Sequence, residues 1–182
     1  MKSSNLRNFT AVMAKFMFIL SWIGGAGILV STILCIIVRD EFIKGLTEDA
    51  DLDMSDFAAF GFDITQVNES QVFPVLIIIF LSITAILVLM GFIFRNVNLI
   101  FRKTNTDSPF SQTNVTLIKQ IGFAAISLPI VKLIANIILG LLTGTFAFGV
   151  ELSEVLFGLV ILCLAQYFVY GAQLERDVEG LL

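Results

Sequence analysis

The chain has 182 residues and a net charge of −4, and 57% of its residues are apolar whereas only 14% are charged. A soluble domain of this length cannot hide so much apolar surface in one core, so the composition excludes an ordinary soluble protein and predicts an integral membrane protein. The sequence contains no histidine, the commonest general base and metal ligand, and we predict no catalytic site, no metal site and no cofactor.

Four apolar stretches are long enough to cross the ~30 Å hydrocarbon core of a bilayer as helices. Backbone amides in lipid must be satisfied within each segment, so helices are the expected form of these spans. The sequence therefore predicts an all-α fold in a single transmembrane domain, an integral membrane four-helix bundle over residues 1–182. Its predicted spans are 16–38, 72–94, 121–148 and 155–171.

The distribution of Lys and Arg predicts the orientation of the chain. Eight of the 11 Lys and Arg residues flank the spans on one side, and this excess marks the cytoplasmic side of a membrane protein. Both termini and the basic inner loop at 95–120 are therefore predicted to be cytoplasmic, and the acidic outer loop at 39–71 lies on the other side. The eight basic residues are Lys2, Arg7, Lys15, Arg95, Arg102, Lys103, Lys119 and Arg176.

The inner loop has a pattern typical of helix ends. Residues 95–102 continue the second span as a helical extension, and Ser108 followed by Pro109 is typical of a helix start, because Ser caps and Pro needs no amide hydrogen at the first helical position. A basic, partly apolar loop of this kind predicts a surface for a cytoplasmic protein partner. The predicted partner surface comprises Arg95, Arg102, Lys103, Pro109 and Phe110.

Lys132 is the one charged residue within the four predicted spans. It lies about 16 Å along the helix from Ile121, near the middle of the bilayer, where a lysine costs about 2.5–3.5 kcal/mol. Asn136 shares its helix face, and Gln166 and Tyr167 are expected nearby in an antiparallel hairpin of the third and fourth spans. We predict an intramembrane polar site, either a ligand, anion or proton site or a set of polar contacts that joins helices.

Small residues spaced four apart predict close helix approach. Gly140 and Gly144 form such a pair in the third span, and Ser21 and Gly25 form one in the first. The approach is between helices of one chain or between two copies, so a homodimer is one of the expected partners, together with the lipid bilayer.

Several short motifs resemble the DUF2975 family of small bacterial four-helix membrane proteins. They are Ser108-Pro109-Phe110, Asn114-Val115, Ile121-Gly122 and Gly171-Ala172-Gln173-Leu174-Glu175. The resemblance implies a bacterial plasma-membrane protein that is often encoded beside a small helix-turn-helix transcription regulator, which suggests that regulator as a partner. It implies no functional residues, because none are assigned to the family.

The function predicted from these features is a non-enzymatic one. The sequence has no glycine-rich phosphate loop, no metal-spaced ligand cluster and no paired intramembrane carboxylates. We expect a membrane-bound regulator or interaction partner of a cytoplasmic protein, with no direct nucleic-acid binding. The alternative is a small oligomeric transporter or channel subunit, which would form a pore from several copies.

Overall fold

The computed structural model describes residues 3–41, 44, 69–103, 110–144 and 152–179. Within this part of the chain the backbone is helical almost throughout and contains no strand, so the predicted all-α class is confirmed. The long helices are α1 (Ser3–Ile37), α2 (Glu69–Lys103), α3 (Gln112–Thr143) and α4 (Leu152–Glu179).

All four helices are long and apolar enough to cross a bilayer, which makes the chain a multi-pass membrane protein. Their outer faces carry large apolar side chains such as Phe16, Ile23 and Leu141. An aqueous protein would bury such side chains, whereas lipid accepts them on the surface.

The helices are longer than a bilayer needs. α1 and α2 have 35 residues each, which is about 52 Å of helix, against a hydrocarbon core of ~30 Å. The basic residues of both helices lie where these helices exceed the predicted spans, before Phe16 in α1 and after Phe94 in α2. The helical continuation of the second span is thus confirmed, since α2 ends only at Lys103.

The chain divides into two compact units. The first unit contains the start of α1, the end of α2, the start of α3 and all of α4, and the second contains the remaining parts of α1, α2 and α3. The first unit comprises Met1–Trp22, Leu89–Leu128 and Leu152–Leu182, and the second comprises Ile23–Val88 and Pro129–Glu151.

The core of the second unit is apolar and lies between α2 and α3. Val75 and Ile79 of α2 are fully buried against Ala135 and Leu139 of α3. Because apolar side chains gain little from leaving lipid for another apolar surface, this core depends on close packing of complementary shapes.

The end of α3 differs from the predicted end of the third span at Phe148. The helix ends at Thr143, and Gly144 has a φ of +76°, a left-handed conformation that favours glycine. Its N–H donates to the carbonyl of Gly140 at 2.8 Å, and the side-chain amide of Gln71 donates to the carbonyl of Leu142, also at 2.8 Å. Carbonyls left without a helical partner are thus satisfied.

Two further sequence predictions about helix α3 are tested only in part. A Cβ placed on Gly144 would meet no atom of the described chain within 4 Å, so the structure shows no close helix approach at this glycine within one chain; packing of Gly140 and Gly144 between two copies stays a prediction. The helix begins at Gln112, Phe110 lies in a turn and Ser111 is the cap, with the N–H of Asn114 donating to Ser111 Oγ at 3.4 Å. Ser108 and Pro109 lie outside the described residues.

Candidate functional site

The first unit gathers polar side chains at one end. Its helices follow one another as antiparallel neighbours, so the start of α1, the end of α2, the start of α3 and the end of α4 lie together. Asn98 of α2 donates to the carbonyl of Ala11 in α1 at 2.7 Å, and Asn96 of α2 donates to Gln120 Oε1 of α3 at 3.1 Å. We call this region the polar end; it comprises residues 3–15, 95–103, 110–120 and 166–179.

Buried amides form the interior of the polar end. Asn96 and Asn114 are each only 1% exposed, and a buried amide is stable only when it is hydrogen-bonded. The bond between Asn96 and Gln120 satisfies this requirement and ties α2 to α3. Such a bond contributes about 1 kcal/mol net, but a missing partner would cost more, so the bond between Asn96 and Gln120 favours one arrangement of α2 and α3.

Two glycines allow α3 and α4 to approach closely. A Cβ built on Gly122 of α3 would lie 2.5 Å from Leu162 Cδ2, and one built on Gly158 of α4 would lie 2.6 Å from Ile126 Cγ1. Real Cβ atoms do not come so near, so any larger residue at either position displaces the opposite helix or its side chain. These contacts also establish the register, with Gly158 beside Ile126 and Leu162 beside Gly122.

Phe110 fills a notch in α4 at the polar end. A Cβ built on Gly171 would lie 2.5 Å from Phe110 Cδ1, and the Phe110 ring centroid is 5.4 Å from that of Phe168. Aromatic rings in such tilted contact contribute about 0.5–1.5 kcal/mol beyond their buried area. Phe110 therefore has a structural role in joining the residues before α3 to α4, although 40% of it remains exposed.

Several residues of the motifs that resemble the DUF2975 family contact α4 or are buried. Gly122 and Phe110 lie against α4, Gly171 is the notch that receives Phe110, and Asn114, Val115, Ile121 and Ala172 are buried. Packing therefore gives a structural reason for the glycines and apolar residues among them.

The residues of the predicted partner surface are distributed as follows. Arg95 and Arg102 lie exposed on α2, and Lys103 is the last residue of that helix. Phe110 packs on α4 as described, and Pro109 lies outside the described residues. That these residues bind a partner stays a prediction.

The residues of the predicted intramembrane site fall in different units. Lys132 is partly buried and Asn136 is only 4% exposed in the second unit. Both take part in a hydrogen bond or another electrostatic contact. Gln166 is exposed in the first unit, as is Tyr167, at 72%. The expected meeting of the two pairs stays a prediction.

The sequence pattern did not reveal the buried amides of the polar end. Asn96 and Asn114 occur in polar stretches where asparagine is expected to face water, so composition could not separate them from solvated neighbours. The one available signal was an asparagine three or four residues from apolar residues, which would place it on the buried face of a helix. That signal is weak in polar stretches such as the one around Asn114.

Metal binding finds no support among the described residues, where no group of three or more His, Cys, Asp or Glu side chains could hold an ion. Cys35 and Cys163 are free thiols. Comparison of the chain with protein-family models, with curated proteins and with solved structures gives no match.

Proposed function

We propose that the chain is a non-enzymatic plasma-membrane protein of bacterial type that binds and regulates a cytoplasmic protein through its polar end. The observation that carries this proposal is the polar end itself. Helices that only anchor a chain need about 20 residues, whereas α1 and α2 continue well beyond that length and pack there around hydrogen-bonded amides.

The charge of the polar end supports its assignment to the cytoplasmic side. Seven basic residues lie at or near this end of the first unit, whereas Arg39 and Lys44 are the basic residues described near the other end of α1. An excess of Lys and Arg beside membrane spans marks the cytoplasmic side, so both termini are inside. The seven are Arg7, Lys15, Arg95, Arg102, Lys103, Lys119 and Arg176.

The exposed guanidinium groups furthest from the spans are suited to a protein partner. Arg102 lies in the last turn of α2 and Arg176 in the last turn of α4, both exposed. Such groups bind carboxylates in two-point contacts, and a rigid helical support limits the entropy lost on binding. The resemblance to the DUF2975 family suggests a helix-turn-helix regulator as this partner, which would keep contact with DNA on the regulator and not on this chain.

Co-purification from native membranes tests the proposal. The tagged full-length chain is isolated together with the regulator encoded beside its gene, and the amount of bound regulator is compared with that of the double variant Arg102→Gln/Arg176→Gln. We expect about a ten-fold loss, because each exposed ion pair contributes up to about 1 kcal/mol. Arg39→Gln, which removes a charge from the opposite end of α1, should retain the regulator.

Three results would contradict the proposal. One is equal retention of the regulator by the double variant, and another is equal loss in Arg39→Gln. The third is ion flux through proteoliposomes above that of protein-free vesicles, which would favour the transporter or channel alternative.

Orientation is measured separately with Lys103→Cys and Lys44→Cys in a background without Cys35 and Cys163. An impermeant thiol reagent on intact cells should label position 44 and spare position 103.

A further inference from the structure

Three basic side chains stand where three helices of the first unit pass from polar to apolar sequence. Lys15 directly precedes the apolar stretch of α1, Arg95 directly follows that of α2, and Lys119 lies just before that of α3. All three are exposed. The same arrangement in three helices suggests that the three charges lie at the same boundary, where the hydrocarbon core of the bilayer ends.

Contacts between α1 and α2 place Lys15 and Arg95 at the same level. The bond from Asn98 to the Ala11 carbonyl fixes the register on one side of them, and a Cβ on Gly91 would lie 3.3 Å from Trp22 Nε1 on the other side. Between these two contacts the antiparallel helices bring position 15 opposite position 95.

A contact between α2 and α3 brings Lys119 to that level as well. Asn96 bonds Gln120, and Arg95 and Lys119 are the residues that directly precede these two. The three basic side chains therefore lie within about one helical turn, or ~5 Å, along the axis of the unit.

The fourth helix adds no described carboxylate at this level. The register of α4 against α3 runs from Leu162 beside Gly122 to Gly171 beside Phe110, which places Gln166 and the exposed Tyr167 close to the level of Lys119. The carboxylates described in α4, Glu154 and those from Glu175 onward, are about two turns or more away. An exposed tyrosine is also typical of the boundary between lipid and water.

We infer that Lys15, Arg95 and Lys119 form a belt that binds the phosphate headgroups of anionic phospholipids in the adjoining leaflet. Ammonium and guanidinium groups at the end of an uncharged span lie at the depth of those phosphates and attract them. The belt holds the helices at one depth, so that the remainder of the polar end projects into water. It assigns Arg95 to lipid and leaves Arg102 for a protein partner.

Spin-labelled lipids measure this preference directly. The full-length chain is reconstituted in phosphatidylcholine, and electron paramagnetic resonance gives the affinity of spin-labelled phosphatidylglycerol relative to spin-labelled phosphatidylcholine in the lipid shell. The variant Arg95→Gln/Lys119→Gln removes two charges from the belt. Its matched control, Arg102→Gln/Arg176→Gln, removes two charges that lie about 10 Å or more further into water.

We expect the wild type to prefer phosphatidylglycerol, because each basic side chain at an anionic surface favours an anionic headgroup about five-fold. The belt variant should lose most of this preference, the control should keep it, and salt should weaken it in both the wild type and the control. Millimolar glycerol phosphate should not displace the labelled lipid. Displacement would instead indicate a site for soluble phosphate compounds.

A belt variant that keeps the full preference would overturn the inference, as would an equal loss in the control or displacement by glycerol phosphate. Helical content and a monodisperse elution profile check that each variant folds. If the double variant does not fold, Lys15→Gln on a third helix gives an independent reading, and an unchanged preference there would also overturn the inference.

Discussion

Replacement of Gly158 by alanine tests the close approach of α3 and α4. The added Cβ would lie 2.6 Å from Ile126 Cγ1 and 3.1 Å from the backbone nitrogen of Ile126. A side-chain carbon can turn away, but the nitrogen belongs to the backbone of α3 and moves only with the helix. The two helices must therefore separate, which also loosens the neighbouring contact of Gly122 with Leu162.

The expected destabilisation follows from two opposing effects. Insertion of a methyl group into a well-packed contact costs about 1–3 kcal/mol, and the higher helix propensity of alanine returns up to about 1 kcal/mol. We therefore expect Gly158→Ala to lower the free energy of unfolding by about 1–2 kcal/mol. Gly27→Ala is the matched control, because a Cβ at Gly27 meets no atom within 4 Å, so it should raise the free energy by up to about 1 kcal/mol.

Unfolding in mixed micelles with increasing sodium dodecyl sulfate, followed by circular dichroism, measures both variants against the wild type. The two substitutions make the same chemical change in apolar helices, so a difference of sign isolates the packing contribution. If Gly158→Ala were as stable as Gly27→Ala, the close approach of α3 and α4 would be refuted.

Three further predictions concern stability in the same assay. Gly144→Ala should cost about 1–2 kcal/mol, because a left-handed φ of +76° is strained for any residue with a Cβ; an unchanged transition would show that α3 ends differently. Asn96→Leu should cost about 0.5–1.5 kcal/mol, because it removes the hydrogen bond from the buried Asn96 amide to Gln120, and the double variant Asn96→Leu/Gln120→Leu should cost less than the two single changes added together. Strict additivity would contradict that bond. Lys132→Met should raise the free energy of unfolding, since it removes a charge that costs about 2.5–3.5 kcal/mol near mid-bilayer, whereas a loss of stability would show that the contacts of the ammonium group outweigh this cost.

The four spans were predictable because lipid imposes a simple requirement on sequence. A stretch that crosses the hydrocarbon core must be long, apolar and helical, and each of these properties is local. Helix ends that depend on local chemistry were predicted less well. The motif Ser108-Pro109, which lies outside the described residues, suggested a helix start; in the described part Ser111 caps α3, and the Phe110 ring before it packs on α4.

The polar end shows why the candidate site could be predicted only in part. The extension of α2 beyond Phe94 follows from its local pattern, and the structure confirms it to Lys103. The bond between Asn96 and Gln120 joins residues of different helices. The periodicity of apolar residues within one helix does not predict which side chain of another helix lies opposite a given residue.

Glycine illustrates the same division. The spacing of Gly140 and Gly144 suggested a packing pair, yet one of these glycines ends a helix. The spacing of Ser21 and Gly25 does fall in a helix contact, since a Cβ on Gly25 would lie 3.7 Å from Leu87 Cβ. The glycines in the tightest contacts, Gly122, Gly158 and Gly171, have no spacing of this kind. Their role depends on the register of α3 against α4, which the sequence of either helix alone does not contain.

The amino-acid sequence by itself determined that this chain lies in a bilayer, how many times its described part crosses, and which ends of its helices are polar, because each of these depends on the composition of contiguous residues in contact with lipid or water. Only the tertiary structure decided that Lys15, Arg95 and Lys119 share one level and that Asn96 and Asn114 are buried. The physical reason is that a level is a relation between helices, set by side-chain packing and hydrogen bonds between residues far apart in the chain.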